Sequence, residues 1–160
     1  MGVVRIGVFA DSHGNLRALR DAVRRAGKLD MAVHLGDYAG DARILTEEGL
    51  ACGIVRGNND FGSSSPTELL LDVEGVKIFC THGHLQSVYW GLDKLYYTAK
   101  ERGAGVALFG HTHRPCLDNN GGLILLNPGS VAEPRGGARE SYAILEIRGG
   151  KADASIHWVY

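Results

Sequence analysis

The chain has no long hydrophobic run, no basic block and no paired cysteine motif. No apolar segment approaches the roughly 18–20 residues that a membrane-spanning helix needs, so we expect no membrane crossing. Its lysines and arginines are scattered and its formal net charge is −1, which argues against a large nucleic-acid surface. An odd number of cysteines without C-x-x-C spacing predicts neither a disulfide framework nor a zinc ribbon.

Two further absences concern where the protein works. Residues 1–8 lack a charged segment followed by a long apolar stretch, so we expect a strand there rather than a signal peptide. The three cysteines, Cys52, Cys80 and Cys116, are predicted to be small buried residues. Together these features are typical of a protein of the reducing cytoplasm.

What is present is an ordinary globular composition, with 160 residues, 44% hydrophobic and 22% charged. This length predicts one domain with a sizeable core. Strand-like runs at residues 5–10, 31–35 and 51–55 alternate with helical patterns at 16–26 and 41–48. Such alternation predicts an α/β fold whose strands are mostly parallel.

The second half of the sequence has a different rhythm. A β-hairpin is predicted at residues 68–80, with its turn at Glu74-Gly75, and a helix at residues 92–101. Strands are expected at residues 106–108 and 123–126, and a last antiparallel pair at 142–147 and 154–159. We therefore expect one α/β domain whose later strands add antiparallel pairs.

Polar side chains follow five of these strands, where ligands collect in parallel sheets. Each of them alone has an ordinary explanation, either as a helix cap or as a polar turn beside glycine. Taken together, they form a set of carboxylate, imidazole and amide donors that suits divalent Mn, Fe, Ni or Zn. The candidate metal ligands are Asp11, His13, Asp37, Asn58, His82, His111 and His113.

Seven donors are too many for one tetrahedral ion and about right for two ions that share a carboxylate. Asp37 is the best bridging ligand, because a central strand would place it in the middle. Two such ions serve in-line attack on a phosphorus ester by a metal-activated hydroxide.

Five motifs occur in order along the chain: D-x-H at residues 11–13, G-D at 36–37, G-N at 57–58, H-G-H at 82–84 and G-H-x-H at 110–113. In this order they resemble the motifs of the calcineurin-like metallophosphoesterases. The short length, the form Arg56-Gly-Asn-Asn-Asp60 and the segment Asn127-Pro-Gly-Ser130 resemble the small prokaryotic phosphodiesterase branch of that family. The resemblance implies an αβ/βα sandwich of two mixed β-sheets flanked by helices, with residues 1–160 as a single metallophosphoesterase domain.

The resemblance also implies how the ligands divide between two ions. Asp11, His13, Asp37 and His113 would hold one ion, and Asp37, Asn58, His82 and His111 the other. Many family members have a histidine after the G-N asparagine as a general acid, where this chain has Asn59. The loss favours substrates with good leaving groups, or another proton source such as His84.

The substrate side of the site is less determined by sequence. Asp37, Asn58 and His84 are the predicted catalytic residues, with a loop-orienting role for His84 as an equal alternative. Asn59 and Arg135 are predicted to bind substrate, although a surface salt bridge explains Arg135 equally well. The aromatic residues Tyr89 and Trp90 would wall the pocket, stack a base, or lie in the core or a subunit contact.

The sequence thus predicts a phosphodiesterase that uses two divalent ions, with Mn expected ahead of Fe, Ni or Zn. Its substrate would be a small phosphate ester, with a nucleotide among the candidates, and a homo-oligomer is compatible with the sequence. One alternative is a phosphomonoesterase. Another is a binding scaffold that keeps the fold without turnover, like the related scaffold proteins of retrograde transport.

Overall fold

The computed structural model describes residues 2–160, so Met1 of the predicted domain lies outside it. Ten strands and three α-helices follow one another along the described chain. They are β1 (Val4–Phe9), α1 (Leu16–Ala26), β2 (Met31–His34), α2 (Arg43–Glu47), β3 (Ala51–Ile54), β4 (Glu68–Val73), β5 (Val76–Thr81), α3 (Asp93–Glu101), β6 (Val106–Leu108), β7 (Pro115–Asn120), β8 (Leu123–Pro128), β9 (Ser141–Arg148) and β10 (Lys151–Trp158).

The strands form two mixed sheets of five. The first sheet has the order β10-β9-β1-β2-β3, and the second has the order β4-β5-β6-β8-β7. Strands β1, β2 and β3 are parallel neighbours, as the alternation of strand and helix predicted. The predicted hairpins β4–β5 and β9–β10 are both antiparallel.

The main core lies between the two sheets and is built from side chains on alternate positions of each strand. From the first sheet, Ile6, Val8 and Val33 face inward, and they meet Ile78 and Leu108 of the second sheet. The helices cover the outer faces, α1 and α2 on the first sheet and α3 on the second. The predicted αβ/βα sandwich is therefore confirmed.

Helix α1 shows how the sequence forms these outer layers. The Asn15 side chain caps its first turn by accepting a hydrogen bond of 3.0 Å from the Ala18 N–H. Gly27 ends the helix with a left-handed φ of 76°. The buried face repeats every three to four residues, which places one side of the helix on the sheet: Ala18, Leu19, Ala22, Val23 and Ala26.

Two details differ from the sequence prediction. The helix expected at residues 41–48 begins with a 3-10 turn, Ala39–Ala42, before α2. Strand β7 was not predicted, because Asp118, Asn119 and Asn120 are typical of turns. It pairs only with β8 at the edge of the second sheet, where a starting proline and exposed polar residues are tolerated.

Within residues 2–160, no helix is both long enough and apolar enough to cross a membrane. The three cysteines are free thiols, and Cys80 is fully buried as predicted, whereas Cys52 and Cys116 are only half-buried. Burial raises the pKa of Cys80 to about 12, which leaves this thiol protonated and unreactive at neutral pH.

Candidate metal centre

The predicted ligands meet where both sheets end on the same side of the sandwich. Asp11 follows β1 and Asp37 follows β2, so these two carboxylates belong to the first sheet. His82 follows β5 and His111 follows β6, so the imidazoles come chiefly from the second sheet. The site therefore lies across the seam between the two layers.

One group contains Asp11, His13, Asp37 and His113, each of which offers a ligand atom within 4.8 Å of the others. The Nε2 atoms of His13 and His113 are 3.2 Å apart. His13 Nε2 lies 3.6 Å from Asp37 Oδ2, and His113 Nε2 lies 3.5 Å from Asp11 Oδ1. Two carboxylates and two imidazoles thus converge on one small volume.

A second group lies on the other side of Asp37. His82 Nε2 is 3.4 Å from Asp37 Oδ1 and 3.2 Å from His111 Nδ1. The two oxygens of Asp37 therefore face different histidines, Oδ2 toward His13 and Oδ1 toward His82. His111 and His113 likewise lie in different groups, which is the separation expected from the sequence.

The tautomers of two histidines suit metal binding. His82 Nδ1–H donates to the Leu35 carbonyl at 2.7 Å, and His113 Nδ1–H donates to the Glu133 carbonyl at 2.7 Å. A carbonyl oxygen can only accept, so both Nδ1 atoms carry the proton and both Nε2 atoms present a lone pair. Burial lowers the pKa of His82 to about 4, which keeps this imidazole neutral.

The surroundings of the Asp11 carboxylate favour a nearby positive charge. Asp11 Oδ1 is buried and has no hydrogen-bond partner within residues 2–160. Burial, followed by repulsion from Asp37, raises the pKa of Asp11 well above its usual value. A divalent ion would satisfy this oxygen and remove the repulsion, so the donors present fit Mn, Fe, Ni or Zn.

The backbone around the ligands is unusual. Five of the seven predicted ligands have left-handed φ angles between 47° and 73°, a conformation that costs non-glycine residues energy. They are Asp11, His13, Asp37, His111 and His113. Strain of this kind collects at functional sites, because surrounding contacts hold the side chains in a required direction.

The glycines of the G-D and G-N motifs allow two loops to approach closely. A Cβ atom on Gly57 would lie 2.2 Å from Asp37 Oδ1, and one on Gly36 would lie 2.6 Å from the Gly57 nitrogen. A larger residue at position 57 would have to displace Asp37, and one at position 36 would have to displace the backbone of Arg56 and Gly57.

A buried network that the sequence analysis missed supports the first loop. The Gly36 N–H donates to His34 Nδ1 at 3.1 Å, so His34 Nε2 carries the proton and donates to Ser12 Oγ at 2.9 Å. The Ser12 hydroxyl in turn donates to Asp41 Oδ2 at 2.7 Å. Nothing in the sequence pairs His34 with Ser12 and Asp41, which lie 22 residues before and seven residues after it.

This network predicts an acid sensitivity that is independent of metal. Burial lowers the pKa of His34 from 6.5 to about 4, so between these pH values the unfolded chain binds a proton that the folded protein refuses. The contribution of neutral His34 to the free energy of unfolding is therefore present above pH 6.5. It is lost as pH falls from 6.5 toward 4, and the loss amounts to up to about 3 kcal/mol. Urea unfolding in EDTA at pH 7.5, 5.5 and 4.5 should show a shallower pH dependence for His34→Gln. Equal slopes for the two proteins would contradict this role.

Two residues of the Asn127-Pro-Gly-Ser130 segment connect the loops. The Ser130 hydroxyl donates to the Asp11 carbonyl at 2.7 Å. The Asn127 amide donates to the Gly110 carbonyl and to Thr112 Oγ1, both at 3.1 Å. In the sequence this segment indicates only a family likeness. Its polar residues at the end of a strand were the available signal for a supporting role.

The two asparagines of the G-N loop have different contacts. Asn59, predicted to bind substrate, directs both its backbone N–H and its side-chain Nδ2 to Asp37, at 3.1 and 2.8 Å. Asn58, the predicted ligand, is exposed, and the hydrogen bonds to Asp37 come from its neighbour. Burial raises the pKa of Asp37, but His82 and these bonds from Asn59 outweigh that effect and lower it overall. Asp37 is thus held as a carboxylate.

His84 lies beside the second group. Its ring centre is 5.4 Å from that of His82, and its Nδ1 atom is buried without a partner within the described residues. Burial lowers the pKa of His84, which favours the neutral imidazole. A proton donor must be protonated, so this shift weakens the expectation of a general acid.

Arg135 reaches the outer edge of the site through Tyr89. Its Nη1 donates to the Tyr89 hydroxyl at 2.6 Å, and that hydroxyl donates to the His111 carbonyl at 3.1 Å. The Arg135 N–H also donates to the His113 carbonyl at 3.1 Å. The Tyr89 ring packs edge-on against His111, with centres 4.7 Å apart. Arg135 and Tyr89 therefore flank both histidines of the last motif.

Known proteins resemble this chain over nearly its whole length. The profile of the calcineurin-like phosphoesterase superfamily domain matches residues 4–150. The probable metallophosphoesterase YsnB of Bacillus subtilis (strain 168) is 38% identical over 151 residues, which cover 94% of this chain and 88% of YsnB. Phosphodiesterase MJ0936 of Methanocaldococcus jannaschii is 28% identical over 144 residues, which cover 79% of this chain and 83% of MJ0936. The solved structure of a predicted phosphoesterase from Streptococcus pneumoniae TIGR4 has a TM-score of 0.81 at 30% identity, covering 98% and 99% of the two chains.

Proposed function

Because this chain belongs to the calcineurin-like phosphoesterase superfamily and is a metal-dependent phosphoesterase, we propose that it hydrolyses phosphodiesters with two divalent ions. The observation that carries this proposal is the position of Asp37, whose two oxygens face His13 on one side and His82 on the other. A carboxylate that faces two imidazole groups is suited to share its oxygens between two ions.

The proposed ligands of the first ion are Asp11, His13, Asp37 and His113, and those of the second are Asp37, Asn58, His82 and His111. Mn is the proposed metal, with Fe, Ni and Zn as alternatives for the same N and O donors. When bound, the two ions would supply a water molecule of lowered pKa. They would also supply positive charge that attracts the phosphoryl oxygens.

The chain's own side chains would set the geometry around the substrate. Asn59 holds the Asp37 carboxylate by two hydrogen bonds, so its proposed role is to orient the shared ligand. Arg135 and Tyr89 present a guanidinium and a hydroxyl beside His111, where they can bind an oxygen of the phosphate. His84 and Asn58 complete the proposed catalytic set.

The missing general acid bears on the type of substrate. Asn59 does not release a proton near neutral pH, and burial lowers the pKa of His84. The departing oxygen therefore lacks a side-chain proton donor of suitable pKa at these two positions. We infer that esters with good leaving groups react fastest.

The remaining parts of the proposal concern scope and setting. Residues 1–160 would form one metallophosphoesterase domain that acts on a small phosphate ester, a nucleotide among the candidates, in the cytoplasm. The phosphodiesterase name of the Methanocaldococcus relative favours diesters over monoesters. The rival reading, a scaffold without turnover, is disfavoured because every predicted ligand position keeps a residue able to bind metal.

The test is hydrolysis of bis-p-nitrophenyl phosphate by purified protein with added Mn, compared with p-nitrophenyl phosphate and with an EDTA control. We expect Mn-dependent turnover of the diester that EDTA removes. Preference for the monoester would support a phosphomonoesterase instead. Absence of turnover with Mn, Fe, Ni and Zn would support the scaffold.

A further inference from the structure

A cleft of about 660 Å³ opens beside the residues that follow Asp37 in the chain. Its walls include Tyr38, Arg43, Asn59, Phe61 and Ser63. This volume lies within the range of about 300–1,000 Å³ that is usual for small-molecule sites, and a phosphate group alone would leave most of it empty.

The cleft adjoins the metal centre through two of its wall residues. Asn59 belongs to its wall and also donates a 2.8 Å hydrogen bond to Asp37. Tyr38 follows Asp37 directly, and its ring centre lies 5.3 Å from that of His13. A phosphorus ester held at the two groups of ligands would therefore extend one of its substituents into this cleft.

The cleft is also held in shape by the chain itself. Asp60 accepts hydrogen bonds from the Ala39 N–H at 2.8 Å and from the Gly57 N–H at 2.7 Å. Arg56 donates to the Ser63 carbonyl at 3.3 Å. The bond from Ala39 ties the loop at residues 57–65 to the turn after β2, and the other two brace the loop itself, so the walls do not depend on a ligand.

The chemistry of the walls is aromatic and polar at once. Phe61 is 91% exposed and Tyr38 is 48% exposed, an unfavourable placement for large rings unless a ligand covers them. Around them stand the hydroxyls at residues 63–65 and the guanidinium of Arg43. An aliphatic group would use only the rings, whereas a heteroaromatic base would stack on a ring and hydrogen-bond at its edge.

We propose that this cleft binds a nucleobase-like ring carried by one ester substituent, which makes the substrate of the proposed phosphodiesterase a nucleotide ester. The inference rests on the proposed function for the position of the phosphate. It adds that Phe61 and Tyr38 select the ester substituent. Neither the metal ligands nor Arg135 can make this selection.

The test compares two inhibitors that differ only in the base. We expect adenosine 5′-monophosphate to inhibit hydrolysis of bis-p-nitrophenyl phosphate about tenfold more tightly than ribose 5-phosphate, in line with the stacking of one base. Phe61→Ala should remove most of this preference, and Phe61→Tyr should retain it. Tyr97, 62% exposed on α3 and outside the cleft, provides the matched control, since Tyr97→Ala should keep both the preference and the activity.

Three results would overturn the inference. The first is equal inhibition by the two compounds, and the second is an unchanged preference in Phe61→Ala. The third is a preference that disappears in Trp90→Ala, which would place the base on the Tyr89 side. If no metal supports turnover, the proposed function fails, and calorimetry of the same two compounds with Mn-loaded protein still decides whether the cleft binds a base.

Discussion

Replacing Asp37 by asparagine should lower kcat/KM for bis-p-nitrophenyl phosphate by more than about 100-fold, beyond the loss usual for a residue that only supports a ligand. Asparagine keeps the size of the side chain, tolerates the left-handed φ of 53° and can still pair with Asn59 after a flip of either amide. What it loses is the second anionic oxygen, and with it the ability to serve both groups of histidines.

The stability of the same variant separates a functional loss from a folding defect. Asp37→Asn has two opposing effects on the metal-free protein: it removes the repulsion of the buried Asp11 carboxylate, and it loses the attraction of His82 and Asn59 for the Asp37 charge. We expect the two effects largely to offset, so that the unfolding free energy in EDTA, measured by urea titration, stays close to that of the wild type. Asp153→Asn, on the exposed face of β10, should leave both activity and stability unchanged. Full activity of Asp37→Asn, or a large loss of stability in EDTA, would contradict the shared-ligand role.

Adding Mn to the metal-free protein should raise its melting temperature by about 8–16 °C. At a free metal concentration about 1,000 times the Kd, binding stabilises the folded state by about 4 kcal/mol, and each kcal/mol shifts the melting of a chain this long by about 2–4 °C. The physical source is relief of the repulsion between Asp11 and Asp37 and a partner for Asp11 Oδ1.

Thermal scans with Mn, Fe, Ni and Zn, each followed by EDTA, would measure this shift and rank the metals. Asp37→Asn should show a much smaller shift than the wild type at the same metal concentration. A melting temperature that none of these metals changes would argue against the site, whatever the activity.

Most strands and helices followed from local pattern, whereas the division of the strands into two sheets followed from the family resemblance. Apolar runs such as residues 31–35 and 51–55 alternate with amphipathic segments, and this alternation alone specifies parallel strands with helices outside. The failure to predict strand β7 has a physical reason. Asp118, Asn119 and Asn120 have a low strand preference, and only pairing with β8 makes a strand of them.

The candidate site divides in a similar way. Residues such as His111 and His113 stand out in the sequence because two imidazoles after a buried strand have few structural uses. The contacts that orient the ligands could not be predicted. The bond from Ser130 to the Asp11 carbonyl joins positions 119 residues apart, and the choice of Asn59 over Asn58 as the partner of Asp37 depends on loop geometry.

The placement of the ligands across the seam of the sandwich has a mechanical consequence. Each proposed ion would take ligands from both sheets, since Asp11 and Asp37 follow strands of the first sheet and His82 and His113 follow strands of the second. Elsewhere the layers are held by apolar side chains, which resist separation but have little directional preference. Bound ions would therefore link the two sheets at one end of the sandwich. On loss of the ions, we expect the sheets to separate first at that end, while the opposite end stays packed.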